Sequence, residues 1–225
     1  MADISWKIKL PASEAAKLNK ELAKEIRAKI KSSWESISGE ITEFAKEKFA
    51  EKIKEHPTFS SLRNGELKGE LGLTNQLFNS FENEIDNVIQ KNLRVRYVAS
   101  ATSPRMDLGG ILVYFEEYVE YFLDTKSADY PSINRHNQST QIFWLSWLLK
   151  ESTKQLIFNW RYIEDDKAKG TRSGKGFMGK KEGSSYAIDE DFAGTRDNNF
   201  ITQAAKKAEP EIAAFALNKL LEISK

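Results

Sequence analysis

The chain has 225 residues, enough to bury one substantial core, and its 40% hydrophobic and 30% charged side chains are the balance of a folded chain rather than a disordered one. With 34 basic against 33 acidic side chains the net charge is +1, so no global field draws in nucleic acid or membrane, and any such role must come from a local patch. Cysteine is absent, which excludes disulfides and thiolate chemistry.

No apolar run approaches the roughly 20 residues that span a bilayer. The opening MADISWKIKLPASE lacks a signal-peptide core, so the expectation is a protein that is cytosolic when made. Residues 13–56 read as one helix, N-capped by Ser13 and stopped by Pro57. Such a helix is roughly 60 Å long, against a radius of gyration of about 17 Å for a compact chain of this size. Its apolar positions are Leu18, Leu22, Ile26, Ile30, Trp34, Ile37, Ile41, Phe44 or Ala45, Phe49 and Ile53. Most steps are four residues, so the stripe advances about 40° per step. A winding stripe cannot lie on one flat core. Either the helix breaks near Gly39 or its two halves bury against different partners. The remaining face alternates Lys and Glu and reads as solvated surface. His56 sits at the helix end, where a cation suits the C-terminal dipole.

Residues 74–90, TNQLFNSFENEIDNVIQ, form a second helix with Leu77, Phe78, Phe81, Ile85, Val88 and Ile89 on one side. The period then changes to two. LRVRYVAS sets Leu93, Val95, Tyr97 and Ala99 against Arg94, Arg96 and Val98, as a half-buried strand does. TSPRMDLGG is a loop, and ILVYFEEYVEYF reads as the returning strand, with a helical reading open for its later half. TQIFWLSWLLKES reads as a short apolar helix, KQLIFNWRYIED as a strand and SYAID as a short strand. A last helix begins near residue 198, and Pro210 bends or restarts it. The expected fold is a single α+β domain over 1–225: a small antiparallel β-sheet flanked by helices, with a long N-terminal helix and a C-terminal helix. Its parts are the helix at 13–56, a helix-plus-sheet region at 74–164, a basic Gly-rich loop with a short strand at 165–196, and the final helix at 197–223.

The loop GTRSGKGFMGKKEG contains G-x-G-x-x-G and most of a Walker A loop. A Walker A loop needs Ser or Thr after its lysine, a strand entering it and a helix leaving it. Here Lys181 follows Lys180, and the residues beyond have no helical period, so nucleotide binding is not expected. What remains is charge: Lys167, Lys169, Arg172, Lys175, Lys180 and Lys181 on one segment, facing either solvent, phosphate or an acidic partner. His56 and His136 are far apart and form no zinc motif. Glu116, Glu117 and Glu120, and Asp189, Glu190 and Asp191, offer carboxylates whose spacing alone makes no acid/base pair. Phe143, Trp144, Trp147 and Trp160 read as core or subunit interface. No nucleophile motif is present, so the reading is non-enzymatic, with no cofactor and no metal.

Three stretches together resemble the neck and tail-completion (head–tail connector) proteins of tailed bacteriophages. They are HPTFSSLRNGELKGELGL, QIFWLSWLLKESTKQLIFNWRY, and RSGKGFMG followed by YAIDEDFAGTRDNNFITQAA. Residues 186–189 depart from the pattern, standing where a tryptophan and a Val-Pro are expected. The resemblance implies a structural virion protein at the head–tail junction, made in the host bacterial cytoplasm. It implies a homo-oligomeric ring that meets neighbouring neck, portal-side or tail proteins, with nonspecific contact to packaged DNA through the basic loop and no membrane partner. Trp34, Ile37, Ile41, Phe143, Trp144 and Trp147 are then the candidate subunit interface. The alternative is a nucleic-acid-binding module using the basic loop with Arg94 and Arg96.

Overall fold

The computed structural model describes residues 4–9, 20–98, 110–115, 118–133, 139–151, 156–165 and 174–224. The order is β1 (Ile4–Lys9), α1 (Lys20–Lys54), α2 (Pro57–Asn64), α3 (Glu66–Glu70), α4 (Asn75–Asn92), β2 (Arg94–Val98) and β3 (Gly110–Phe115). Then come α5 (Tyr118–Leu123), a 3-10 turn (Lys126–Ala128), β4 (Asp129–Ile133), β5 (Ser139–Phe143), α6 (Trp144–Leu149), β6 (Ile157–Glu164), β7 (Gly176–Tyr186) and α7 (Phe200–Ser224). This is an α+β fold. The antiparallel pairing is divided among three small sheets: β1-β3-β2, β4-β5 and β6-β7.

Helix α1 does not break at Gly39, and the proposed Ser13 cap lies outside the described residues. Its stripe winds, and different elements of the same chain meet it in turn. α7 runs antiparallel beside it, since Lys219 bonds Glu40, Phe215 stacks on Phe44, Glu211 reaches Lys52 and Gln203 reaches His56. The buried Ala204, Ala205, Ala208 and Ala216 give α7 a low face, which brings the bulkier Ile41, Phe49 and Ile53 close. The Phe44 and Phe215 rings lie 4.0 Å apart at 7°. Away from α7, Trp34 reaches Tyr97 of β2 and Phe49 meets the edge of Phe115 of β3. Pro210 sits inside α7 without ending it; Glu211 and Phe215, just beyond it, still hold α1.

Helix α4 closes the other side of the core. Thr74 caps it by accepting from the Leu77 amide, and Phe78, Phe81, Ile85 and Ile89 form its buried face. Phe59, Phe78, Phe81 and Trp144 make a run of aromatic contacts, with Phe81 and Trp144 4.9 Å apart edge to face. Within TQIFWLSWLLKES, the residues up to Phe143 belong to β5 and Trp144–Leu149 form α6. In ILVYFEEYVEYF the residues up to Phe115 belong to β3 and those from Tyr118 form α5, in line with the helical reading of its end.

His56 corrects the expectation of a dipole-stabilised cation. It N-caps α2, its Nδ1 accepting from the Thr58 amide at 3.2 Å, while Nε2 lies 3.1 Å from the Gln203 side-chain oxygen. An accepting Nδ1 leaves the proton on Nε2, so the bound ring is neutral. Burial holds its pKa below the ordinary 6.5, against the smaller upward pull of Gln203.

Two outcomes follow from this packing. A Cβ at Gly39 meets nothing within 4 Å, so Gly39→Ala is expected to add about 1 kcal/mol, read as a rise of roughly 2–4 °C in Tm. His56 binds a proton more readily when unfolded, so its contribution is complete above its ordinary pKa of 6.5 and is lost as pH falls below it. The urea midpoint of the wild type should therefore drop more between pH 7.5 and 5 than that of His56→Asn, which keeps a neutral cap.

Candidate functional site

The segment expected to be a basic Gly-rich loop is largely a strand. β7 pairs with β6 from Ile157↔Tyr186 to Glu164↔Gly176, so residues 176–186 form one arm of an antiparallel ribbon. Few of its residues favour strands; its partner explains it. A Cβ on Gly176 would lie 2.6 Å from the Tyr162 hydroxyl oxygen and one on Gly179 2.5 Å from Ile163 Cδ1, so these glycines give room to large cross-strand neighbours. No helix follows Gly174, and the glycine pattern serves ribbon packing rather than a phosphate cradle.

The ribbon carries a bulge. Phe158 pairs with Ser185 and Trp160 with Lys180, so Asn159 alone stands opposite residues 181–184. Asn159 takes φ 59° and accepts from the Gly183 amide at 3.2 Å, and Gly183 itself has φ +74°. Lys180, Lys181, Glu182 and Gly183 are thereby pushed into solvent.

The ribbon is fastened to the α2–α3 corner at three points. Lys175 donates to the carbonyls of Asn64 and Gly65 at the end of α2, so this lysine caps a helix. The Tyr162 hydroxyl fits against Gly69 of α3, where a Cβ would come within 2.1 Å of it. The Tyr186 hydroxyl donates to Glu70 Oε2 at 3.0 Å. Beside these, Lys68 is buried and donates to the Asn75 side chain. Of the six basic residues expected to face a partner, Lys180 and Lys181 are exposed, Lys175 is partly buried on α2, and Lys167, Lys169 and Arg172 lie outside the described residues. Arg94 and Arg96 belong to a different sheet, where Arg96 covers the Tyr114 ring at 5.2 Å.

The candidate subunit interface also divides. Ile37, Ile41 and Trp144 are core residues of their own chain and offer no surface, because α7 and α4 already cover them. Trp34 and Trp147 are half-buried against that core. Phe143 is 51% exposed. It rims a cavity of about 250 Å³ with Leu123, Ala128, Leu145, Ser146, Lys150 and Glu151. Phe177 on β7, Leu221 near the end of α7 and Tyr121, on the same short helix as Leu123, are the other large apolar side chains in solvent among the described residues, 45%, 44% and 40% exposed. Sequence periodicity missed Phe177 because the segment reads as loop.

Two of the acidic candidates, Glu120 and Asp189, have structural partners. Glu120 pairs with Arg196 at 2.7 Å, and Asp189 caps its own turn by accepting from the Asp191 amide; Glu116, Glu117 and His136 lie outside the described residues. Among the described residues no group of three His, Cys, Asp or Glu side chains is placed to hold a metal ion. No helix there is long and apolar enough to cross a membrane.

The FAGTRDNNFIT stretch is a joint. Gly194 packs where a Cβ would come within 2.0 Å of the Leu148 carbonyl oxygen. Asn199, 2% exposed, accepts from the Ile201 and Thr202 amides to cap α7 and donates to Tyr118 Oη and the Leu149 and Thr195 carbonyls. Tyr118 in turn donates to the Arg196 carbonyl. One side chain thus ties α5, α6 and α7 together. Asn199→Ala removes the cap and strands the Tyr118 and Leu149 groups, and should cost more than about 2 kcal/mol in chemical denaturation. Asn199→Asp keeps the capping oxygen but faces a carboxylate toward two carbonyls, and is expected not to rescue. No family model, curated protein or solved structure matches the chain.

Proposed function

We propose that the protein is a non-catalytic ring component of the head–tail junction of a tailed bacteriophage, assembled from copies of this chain. The observation that carries this reading is the placement of its exposed apolar side chains. Phe177 stands on the ribbon, opposite Ile163, while Phe143 rims a cavity on the β5–α6 segment. A head-to-tail ring needs two unlike patches on one subunit, and these are two such patches. The ribbon also leaves both outer edges without a strand partner among the described residues, which suits addition of a neighbour's backbone.

The packing of α1 narrows the physical basis of this reading. From Ile30 to Ile53 the stripe of the long helix is covered within its own chain, so that part of it does not require a neighbour. What a neighbour would cover is the smaller set of Phe143, Tyr121, Phe177 and the terminal Leu221. Lys180 and Lys181 on the bulge would then face the channel or an adjacent subunit. The sequence resemblance supplies the location at the head–tail junction.

Light scattering across the micromolar range, with electron microscopy, tests the assembly. Mass should rise with concentration toward a closed ring, and Phe143→Lys or Phe177→Lys should each shift the midpoint of association at least tenfold upward. A strict monomer at high micromolar concentration, with no copies in purified virions, sinks the reading.

A further inference from the structure

We propose that Asn64 is a site of spontaneous deamidation whose rate is set by Lys175: the reaction is slow while this lysine holds the end of α2, and each opening of that end exposes the Asn64–Gly65 bond to it. Asn64 is the one asparagine in the chain that is followed by glycine. A backbone nitrogen attacks the preceding side-chain amide most readily when its own residue has no Cβ to obstruct the approach and few limits on φ. Packing imposes the glycine half of this pair. A Cβ at position 65 would lie 2.7 Å from Ser61 Cα and 2.8 Å from its Oγ, and the Leu67 amide holds that Oγ in place by donating to it at 3.1 Å. The glycine therefore stays, and the susceptible bond stays with it.

The chemistry needs no reagent beyond water. The Gly65 nitrogen loses its proton and bonds to Asn64 Cγ, the Cγ–Nδ2 bond breaks, and ammonia leaves behind a cyclic succinimide. Water then opens the ring at either carbonyl and leaves aspartate or isoaspartate at position 64. The Asn64 side chain is exposed, so water has access to it.

Three features of the fold oppose the first bond. Asn64 is the last residue of α2, and cyclisation requires its ψ to leave the helical region. The Gly65 N–H donates to the Ser61 carbonyl at 2.9 Å, so the nucleophile is occupied. Helix ends fray, and these two restraints would fray with this one. The third comes from outside the helix. Lys175, just before β7, donates to the carbonyls of Asn64 and Gly65. The Asn64 carbonyl and the Gly65 nitrogen belong to one peptide unit, so the ψ rotation that brings the nitrogen to Cγ must also swing the carbonyl off Lys175. A cation on that carbonyl makes the N–H more acidic, but the freed nitrogen reaches Cγ only after the rotation that breaks the contact.

Peptide mapping by mass spectrometry of the dilute full chain, sampled over time in mildly alkaline buffer, tests this. The readout is the fraction of the Asn64 peptide in which NH2 has become OH, with isoaspartate as the diagnostic product; Asn64→Gln should remove the signal. The folded wild type should convert at least about tenfold more slowly than the same chain unfolded in guanidinium. Lys175→Met should speed the folded rate about fivefold or more, while Lys180→Met, on the same strand but exposed at the bulge, should leave it unchanged. Protection of α1 and α7 amides verifies that the variant is folded, and Lys175→Gln takes its place if it is not. A folded wild type that converts as fast as the unfolded chain, or equal rates with and without Lys175, overturns the proposal. Dilute protein is used throughout, so the outcome is independent of ring assembly.

Discussion

The antiparallel pairing of the first and last helices is the constraint on which the rest of the structure depends. A 35-residue helix has no reason to persist in water unless its apolar stripe is covered along its length. Along its C-terminal part, from Glu40 to His56, α7 supplies that cover with alanines, whose small size lets the two backbones approach, and with Phe215 laid flat on Phe44; nearer its start Trp34 meets Tyr97 of β2. Ion pairs between Glu40 and Lys219 and between Lys52 and Glu211 flank the seam but, with their carboxylates open to solvent, set register more than stability. Once the pair is formed, everything between residues 57 and 199 must begin and end beside it. His56 and Gln203 mark that point, joining the end of α1 to the start of α7.

From that closure the smaller elements take their places. The helices α2 and α3 make a tight corner, and α4 returns along the core with its phenylalanines inward. Arg63 on α2 lies over the Phe59 and Phe78 rings and bonds Glu82, sealing the corner with charge on its outer side. Asn199 performs the same service at the other end, where three short segments meet α7. The β6–β7 ribbon is the element least committed to this core. That asymmetry, a firm helical body with a lightly attached ribbon, is what the assembly reading draws on.

Much of this was legible in the residues, for a physical reason. α1, α4 and α7 carry long amphipathic patterns. The alternation in LRVRYV is a strand pattern that β2 obeys. Three features were hidden. The stripe of α1 winds, and sequence alone does not say whether the partners it meets belong to its own chain or to another; Ile37 and Ile41, expected at an interface, are core for that reason, and Trp144 is core because it packs on Phe81 of α4. GFMGKKEGSSY reads as loop because glycines and lysines disfavour strands, yet its glycines fit beneath Tyr162 and Ile163 of a partner strand that has strong strand formers. The role of Asn199 needs three distant segments in hand at once, and Glu70 needs the Tyr186 contact some 116 positions away.

The bulge opposite Asn159 has a consequence for how this ribbon tolerates change in length. Ladder pairing runs in one register from Trp160 to Glu164 and in another at Ile157 and Phe158, and residues 181–184 are the slack between them. A residue gained or lost there alters neither register, since each ladder segment is pinned by its own neighbour, Tyr162 on Gly69 and Tyr186 on Glu70. Elsewhere in the ribbon a single insertion would turn every following side chain to the wrong face. The stretch from Lys181 to Ser184 is thus where this protein can be lengthened, tagged or diversified without its frame taking notice.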